Sequence, residues 1–270
     1  MKTRAASLPM YNLPEMRPLN AAFWDALADE LRHDGFANIP SVLTFARPPV
    51  PDRIEDEVLF SQTCGYPLQT LYRGQYRLLG TPSYDAPGCR EGTHCAFILV
   101  RGDSPYRKPE DLRGTSFALN SRHSNSGMNL PRLLFAPLAG GKPFFRSVVE
   151  TGSHPNSIAR VTSGELDSAS IDCLTYTFLE DHRPEVVASL RILAETPGSP
   201  AIPFVTSIAT PADEAARLQA GLLRLAADPA RRPVLAGLRL RSISMPDPAA
   251  YAALLDYERK AAELGYPELA

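Results

Sequence analysis

The sequence predicts an α/β protein, and two features of its pattern lead to that class. Short apolar runs typical of buried strands, such as residues 117–119, recur along the chain. Between them lie segments whose apolar residues recur at helical spacing, such as residues 130–138. Alternation of these two patterns is typical of α/β architecture. The 270 residues are enough for two modest lobes or for one large domain.

Composition and charge exclude several classes of protein. Hydrophobic residues make up 44% of the chain and charged residues 21%, which describes an ordinary globular protein. The net charge of −2, without a long basic run, gives no support to binding of nucleic acid or of a membrane surface. No apolar run is long enough to span a membrane. Residues 1–11 carry positive charges with no apolar stretch behind them, so no secretory signal is predicted: either it has been removed or the protein stays in the cytoplasm.

The cysteine pattern favours no metal site. Cys64, Cys89, Cys95 and Cys173 include no C-x-x-C pair, which argues against a zinc site or a thioredoxin-like motif. Cys64 and Cys89 both fall in predicted loops and could form a disulfide in an oxidising compartment. Free thiols in small apolar niches are the other interpretation, and both stay open.

The first part of the chain is predicted to hold several strands and one helix. Residues 4–10 have a strand pattern, and Pro18 is expected to interrupt regular structure soon after it. Asn20 is predicted to cap a helix with Phe23 on its apolar face and its end at Gly35. Further strands are predicted over residues 39–45, 58–60, 76–79 and 96–100.

Strand and helix patterns continue to alternate through the rest of the chain, after a short helical turn at residues 109–112. The predicted strands are residues 117–119, 147–150, 166–171, 190–193, 204–207 and 238–243. The predicted helices are residues 130–138, 158–164, 174–179, 212–226, 229–236 and 248–264.

Residues 116–131 are predicted to form a strand, a polar loop and a helix. The loop is rich in small uncharged polar residues and is closed by a glycine; these are Asn120, Ser121, Ser124, Asn125, Ser126 and Gly127. Small hydroxyl and amide side chains cap the free N–H groups at a helix start, and the same end attracts anions. Capping explains one such residue, whereas five exceed what a cap needs. The loop therefore predicts a site for an oxyanion or another polar ligand.

Hydrogen-bonding residues, all uncharged except Asp172 and protonated His154, also follow several other predicted strands. They are Tyr11 and Asn12; Gln62, Thr63 and Tyr66; Ser153, His154 and Ser157; Asp172 and Tyr176; and Thr206 and Ser207. Ligands of open α/β sheets bind beyond the carboxyl ends of the strands. We therefore expect one shared ligand site rather than scattered helix caps.

His154 and Asp172 each have a structural interpretation beside the functional one. A single histidine is often a hydrogen-bonded structural residue, but His154 stands at a predicted helix start. Asp172 follows an apolar stretch, so it is predicted to be partly buried and to need a donor or a protonated ligand group. It could equally cap the helix that starts near Cys173. No catalytic motif and no metal-ligand spacing occurs, so neither catalysis nor a cofactor nor a metal is predicted.

Four stretches of the chain together resemble a known family. They are residues 104–120, Ser124–Gly127, residues 151–154 and residues 164–172. In this succession the chain resembles the phosphonate/phosphate-type substrate-binding proteins of ABC transporters, which have the type II periplasmic binding fold. The resemblance covers residues 5–210 and is strongest over residues 98–175.

The resemblance implies two α/β lobes that close on a ligand about a hinge. Lobe 1 would comprise residues 1–99 and 206–270, lobe 2 residues 100–205, and the hinge strands would lie near 96–101 and 202–207. The resemblance and the pattern of polar residues after strands together predict the ligand-binding residues, which are Tyr11, Gln62, Thr63, Tyr66, Asn120, Ser124, Asn125, Ser126, Gly127, His154, Ser157, Asp172, Tyr176 and Thr206.

The resemblance also sets the functional expectation. We expect a monomeric, non-enzymatic and periplasmic protein that binds a small oxyanion such as phosphate or a phosphonate and delivers it to an ABC transporter permease. The missing signal leaves two alternatives open. One is a cytoplasmic enzyme on the same fold, such as a relative of the pyrimidine-forming proteins of thiamine biosynthesis. The other is a cytoplasmic ligand-sensing module.

Overall fold

The computed structural model describes residues 4–270, in which the chain forms two compact units. Residues 1–3, assigned above to lobe 1, lie outside the described residues. Unit 1 contains the chain up to Asp85, Arg90–Thr93 and Pro200–Tyr251. Unit 2 contains Ala86–Cys89, His94–Ser199 and Ala252–Ala270. Each unit has its own sheet and its own apolar core, so the α/β class is confirmed.

Strands and helices alternate along most of the chain. The strands are β1 (Ala5–Ala6), β2 (Val58–Gln62), β3 (Tyr76–Tyr84), β4 (Thr93–His94), β5 (Ala96–Arg101), β6 (Ser116–Leu119), β7 (Ser147–Glu150), β8 (Ser168–Asp172), β9 (Leu190–Glu195), β10 (Ser199–Pro200), β11 (Phe204–Ser207) and β12 (Leu240–Ser244). The helices are α1 (Arg17–His33), α2 (Gly65–Gln69), α3 (Leu130–Ala139), α4 (His154–Thr162), α5 (Cys173–His182), α6 (Pro184–Val187), α7 (Ala212–Ala227), α8 (Arg232–Gly237), α9 (Pro248–Ala252) and α10 (Leu254–Glu263). Within residues 4–270, no helix has the length and apolar character needed to cross a bilayer.

Unit 1 is built on a mixed sheet whose strands run in the order β1-β2-β11-β3-β12. β1 and β2 are parallel, whereas β11 runs antiparallel to both β2 and β3. Aromatic rings of α1 and of the sheet form its core: the ring of Phe204 stacks 5.6 Å from Phe23 and 5.4 Å from Phe60, measured between centroids. These rings are almost fully buried, so their apolar area is a main source of stability.

Unit 2 is built on a sheet in the order β7-β6-β8-β5-β9. β6 lies between β7 and β8 and is parallel to both, whereas β5 is antiparallel to its neighbours β8 and β9. Phe117 of β6 packs against Phe135 of α3 and against Phe145, with ring centroids 5.9 Å and 4.5 Å apart. This cluster holds α3 on the sheet and so fixes the loop between β6 and α3.

Ala252–Ala270 belong to unit 2, whereas the prediction assigned all of residues 206–270 to lobe 1; residues 206–251 do lie in unit 1. α10 packs against α3, where Leu254 is fully buried and its carbonyl accepts a hydrogen bond from Asn129 Nδ2 at 3.3 Å. Arg132 of α3 donates to the carbonyl of Pro267 at 2.8 Å. The chain passes between the units after Asp85, Cys89, Thr93, Ser199 and Tyr251. Two of these passages, after Thr93 and Ser199, lie a few residues before the predicted hinge strands.

Several local predictions were wrong, for reasons of backbone chemistry. Residues 39–45 form no strand within the described chain: Thr44 makes a single bridge to Ser7, and Pro40 lacks the N–H that a ladder needs. Pro18 begins α1 instead of interrupting it, because proline is favoured in the first turn of a helix. Asn20 is consequently buried inside α1, where it donates to the Tyr11 carbonyl at 3.0 Å.

Candidate functional site

Three loops of unit 2 lie at one edge of its sheet. Because β6, β7 and β8 are parallel, their carboxyl ends meet at the same edge. Residues 120–127 follow β6, residues 151–157 follow β7, and α5 begins directly after β8. The strand arrangement therefore brings together polar residues that are far apart in the sequence.

The loop after β6 is held by its own polar side chains. Ser124 caps the π-helical turn Asn125–Asn129, and its Oγ accepts a hydrogen bond from the Gly127 N–H at 2.9 Å. A Cβ on Gly127 would lie 1.8 Å from Asn120 Oδ1, so a larger residue cannot fit there without displacing Asn120. The glycine thus lets two parts of the loop approach closely.

Ser126 and His154 join the first loop to the second. Ser126 Oγ lies 3.1 Å from His154 Nε2, and the Ser126 carbonyl accepts a hydrogen bond from Ser170 Oγ of β8 at 2.6 Å. Ser153 caps α4 through the Asn156 N–H, which orients the first turn that carries His154. These contacts place a hydroxyl, an imidazole and a helix start side by side.

Asp172 is buried against a second histidine, His94. The two side chains are each 2% exposed, and His94 Nδ1 lies 2.8 Å from Asp172 Oδ2. Burial alone would lower the pKa of His94, but the hydrogen bond and the charge of Asp172 outweigh it and raise that pKa. Burial alone would raise the pKa of Asp172, but the interactions with His94 outweigh that effect and lower the pKa. Both shifts favour the charged forms, an imidazolium and a carboxylate whose charges cancel.

Asp172 also fulfils the structural role considered for it. Its Oδ1 accepts a hydrogen bond from the Thr175 N–H at 2.9 Å and so caps α5. The cap uses one carboxylate oxygen and the ion pair the other.

His154 has a different protonation from His94. Its ring is partly exposed, but Nδ1 is buried, and this burial lowers the pKa of His154 to about 4. Asp172 and the Ser170 carbonyl raise that pKa, although less than burial lowers it. His154 is therefore a neutral imidazole at neutral pH, with one nitrogen as a donor and the other as an acceptor.

Three other predicted residues of unit 2 are engaged within the protein. Ser157 Oγ contacts Thr151 Oγ1 at 2.6 Å. Asn125 donates to Ser199 Oγ at 2.9 Å, and the ring of Tyr176 packs edge-on against Phe97. The polar contacts of Ser157 and Asn125 stabilise the loops, and the role of all three residues in ligand binding stays a prediction.

The remaining predicted residues lie in unit 1. Gln62, Thr63 and Tyr66 follow β2, and the structure places them together as buried residues at its carboxyl end. Tyr11 follows β1, which is parallel to β2 and so ends at the same edge. Thr206 does not join them. It belongs to the antiparallel strand β11, and its Oγ1 donates to the Val58 carbonyl at the opposite end of β2.

His94 is a site residue that sequence reasoning missed. It precedes β5, whose antiparallel pairing with β8 sets Ala96 opposite Asp172. The sequence analysis looked for polar residues that follow strands. His94 instead precedes a strand, and it lies at the same edge of the sheet because that strand, β5, is antiparallel to β8. Only the register between β5 and β8 would identify His94, and a single sequence does not reveal that register.

The cysteine alternatives are also decided within this structure. The four cysteines, which all fall among residues 4–270, are free thiols, and Cys64 and Cys89 form no disulfide. The neighbour of Cys89 is Cys173, with 3.5 Å between the two Sγ atoms.

Comparison with known proteins identifies the family. Residues 57–251 match the family described as ABC transporter, phosphonate, periplasmic substrate-binding protein. No curated protein sequence matches the chain. The match covers more than half of the chain, so the resemblance found in the sequence is confirmed.

Solved structures with the same fold agree with this family. XAC2383 from Xanthomonas citri, bound to ATP, has a TM-score of 0.70 and 19% identity over 97% of this chain and 98% of its own. A binding protein component of an ABC phosphonate transporter from Pseudomonas aeruginosa, PA3383, has a TM-score of 0.74 and 16% identity over 97% of this chain and 88% of its own. PhnD1 from Prochlorococcus marinus, in complex with methylphosphonate, has a TM-score of 0.70 and 15% identity over 97% and 100% of the two chains. With the fold shared and most of the sequence matched, the chain belongs to the family of periplasmic substrate-binding proteins of phosphonate ABC transporters.

Proposed function

We propose that this protein binds a small phosphonate, or a phosphate-like oxyanion, for uptake through an ABC transporter. The observation that carries the proposal is the meeting of Ser126, His154 and the His94–Asp172 pair at one edge of the unit 2 sheet. Membership of the phosphonate-binding family supports it. The methylphosphonate complex of PhnD1 supports the same class of ligand.

The proposed site binds an anion through hydrogen bonds and without net positive charge. The hydroxyls of Ser124 and Ser126 and the N–H of His154 at the start of α4 are the donors, because Pro155 has no N–H and the Asn156 N–H is bonded to Ser153 Oγ. Neutral His154 can donate from Nε2 to Ser126 Oγ, which leaves the Ser126 hydroxyl proton for the anion. Hydrogen bonds to a charged group contribute about 1.5–3 kcal/mol each, so a few of them suffice for tight binding.

The His94–Asp172 pair explains how a carboxylate is tolerated beside an anion. Protonated His94 cancels the charge of Asp172, so the buried carboxylate repels the ligand little. Both Asp172 oxygens are engaged within the protein, one by the cap of α5 and the other by His94, so the pair supports the site without contacting the ligand.

The remaining parts of the proposal follow from the family and from composition. The protein acts as a monomer in the periplasm, delivers its ligand to a permease, and binds it without chemical change. Its net charge of −2 supports a small-molecule ligand over nucleic acid. Gln62, Thr63, Tyr66 and Tyr11 are proposed as contacts contributed by unit 1.

Calorimetric titration with methylphosphonate, phosphate, phosphite and an alkyl sulfonate tests the proposal. We expect saturable binding of at least one phosphorus oxyanion, and Ser126→Ala should weaken it roughly tenfold by removing one donor. Ser163→Ala is the matched control, because the Ser163 hydroxyl is exposed and donates to the Arg160 carbonyl. Folded protein that binds none of the four anions would contradict the proposal.

A further inference from the structure

Three of the four cysteines converge beside Asp172, although they are distant in the sequence. Cys89 Sγ lies 3.5 Å from Cys173 Sγ, and the Cys173 N–H donates to the Cys95 carbonyl at 3.1 Å. Cys173 is fully buried and Cys95 is 4% exposed, whereas Cys89 is partly exposed. One thiol of the group is therefore open to a reagent, and its nearest sulfur neighbour is protected.

The position of Cys89 is fixed by close packing of the preceding glycine. Gly88 has a φ of +77°, which favours glycine, and a Cβ there would lie 2.7 Å from Cys95 Sγ and 2.9 Å from the Cys173 Cβ. The Cys89 N–H also donates to the Ala86 carbonyl at 3.1 Å. The turn 86–89 thus rests directly on the other two thiols and holds Cys89 against Cys173.

The surroundings of Cys173 activate it as a nucleophile. Hydrogen bonds from Cys89 and Cys95 lower the pKa of Cys173, against the opposing effects of burial and of the Asp172 charge. Cys173 is also the first residue of α5, where the helix dipole favours a thiolate. The hydrogen bond to Cys173 and burial raise the pKa of Cys89, so Cys89 is the sulfur that keeps its proton.

We propose that Cys89 and Cys173 form a reversible disulfide, a modification site independent of the ligand-binding function proposed above. The oxidant is a disulfide of another thiol compound or thiol protein. The Cys89 sulfur attacks the oxidant and gives its proton to the leaving sulfur, which forms a mixed disulfide and releases the first thiol of the oxidant. The Cys173 thiolate then attacks Cys89 Sγ, which closes the bond and releases the second sulfur as a thiolate that takes a proton from water. Two thiols are oxidised and one disulfide is reduced, so atoms and electrons balance.

The bond would attach the turn 86–89 to the start of α5. Cys173 follows Asp172 directly, and Cys95 follows His94. Oxidation would therefore immobilise the segment that carries the buried ion pair without consuming either charged residue.

Oxidation by glutathione disulfide, followed by denaturation, alkylation and peptide mass mapping, tests the proposal. We expect two of the four thiols to become unreactive, a linked peptide that contains Cys89 and Cys173, and full recovery after reduction with dithiothreitol. Cys89→Ser and Cys173→Ser should each abolish the linked peptide, whereas Cys64→Ser, in unit 1, should keep it.

Each other outcome contradicts the proposal. A stable glutathione adduct on Cys89 would show that Cys173 does not attack it. A link between Cys95 and Cys173, or four reactive thiols after exposure to oxidant, would exclude the pair named here. If a variant fails to fold, the peptide mass map of the unsubstituted protein still shows whether Cys89 and Cys173 are linked.

Discussion

At the scale of the residue, His94 is the counter-charge that allows the Asp172 carboxylate to be buried. His94→Gln removes the cation and leaves Asp172 buried without a counter-charge, which is expected to cost about 3–5 kcal/mol of unfolding free energy. Urea denaturation measures the loss. Arg160→Gln is the control, because it breaks the exposed pair with Glu165 and should leave stability nearly unchanged.

The pH dependence of this pair follows from the sign of its pKa shifts. Folding raises the pKa of His94, so its stabilising contribution is complete below the unfolded value of 6.5 and is lost as the pH rises through the folded value. The difference in stability between the wild type and His94→Gln should therefore shrink at alkaline pH. A difference that grows with pH would contradict the ion pair.

His154 has the opposite pH dependence. Its pKa is lowered from 6.5 to about 4, so the unfolded chain binds the proton more tightly and stability falls as the pH falls through that window. The fall is expected to reach at most about 3 kcal/mol, since solvent at the partly exposed ring reduces it. Denaturation between pH 6.5 and 4 should show this slope in the wild type and in His123→Gln, whose side chain is exposed. His154→Gln should have a flatter profile, and equal slopes would contradict burial of the neutral imidazole.

The sequence predicted some residues of the candidate site and missed others. Ser124, Ser126, Gly127, His154 and Asp172 were predicted as a group because each follows a strand, and the structure brings them together. Their binding role stays a prediction. His94 could not be found in this way, because its place depends on a pairing register and not on the residues around it.

At the scale of the element, strand direction separates the correct predictions from the incorrect ones. Units of strand, loop and helix have a strong local pattern, and β6–α3, β7–α4 and β8–α5 were all predicted with their order and type. Direction within a sheet has no local pattern. Thr206 was assigned to the site because it lies at the end of a predicted strand, but β11 runs antiparallel to β2 and therefore ends at the opposite edge of the sheet.

The packing of α10 on α3 gives a prediction for unit 2. Leu254 is fully buried, so Leu254→Ala is expected to cost about 2–5 kcal/mol of unfolding free energy through lost burial and a residual cavity. Leu264→Ala is the matched control, because that side chain is 49% exposed. Urea denaturation followed by circular dichroism measures both. Equal stabilities of the two variants would exclude a structural role for α10.

At the scale of the whole molecule, ligand binding and folding are linked. A ligand that binds the native state alone stabilises it by about 2.7 kcal/mol at 100 times its dissociation constant. The melting temperature should therefore rise with the logarithm of the phosphonate concentration. Ser126→Ala should need about tenfold more ligand for the same rise, in line with one lost hydrogen bond. A melting temperature that does not respond to a ligand shown to bind by calorimetry would contradict the linkage.

The division of the chain into two units was only partly visible in the sequence. Composition and length allowed two lobes, and the resemblance predicted them. The membership of Ala252–Ala270 in unit 2 was not predicted. The helical pattern of residues 248–264 shows an apolar face but does not show that this face packs against α3.

That membership has a consequence for the order in which the protein matures on the ribosome. Unit 1 needs residues 200–251 for two of its strands, so it cannot close while translation is still passing through unit 2. Unit 2 must then wait for residues 252–270 before Leu254 covers α3. Synthesis proceeds at about 5–20 residues per second, so the uncovered surfaces of both nascent halves persist for several seconds. During that interval a chaperone has its best opportunity to bind the emerging polypeptide.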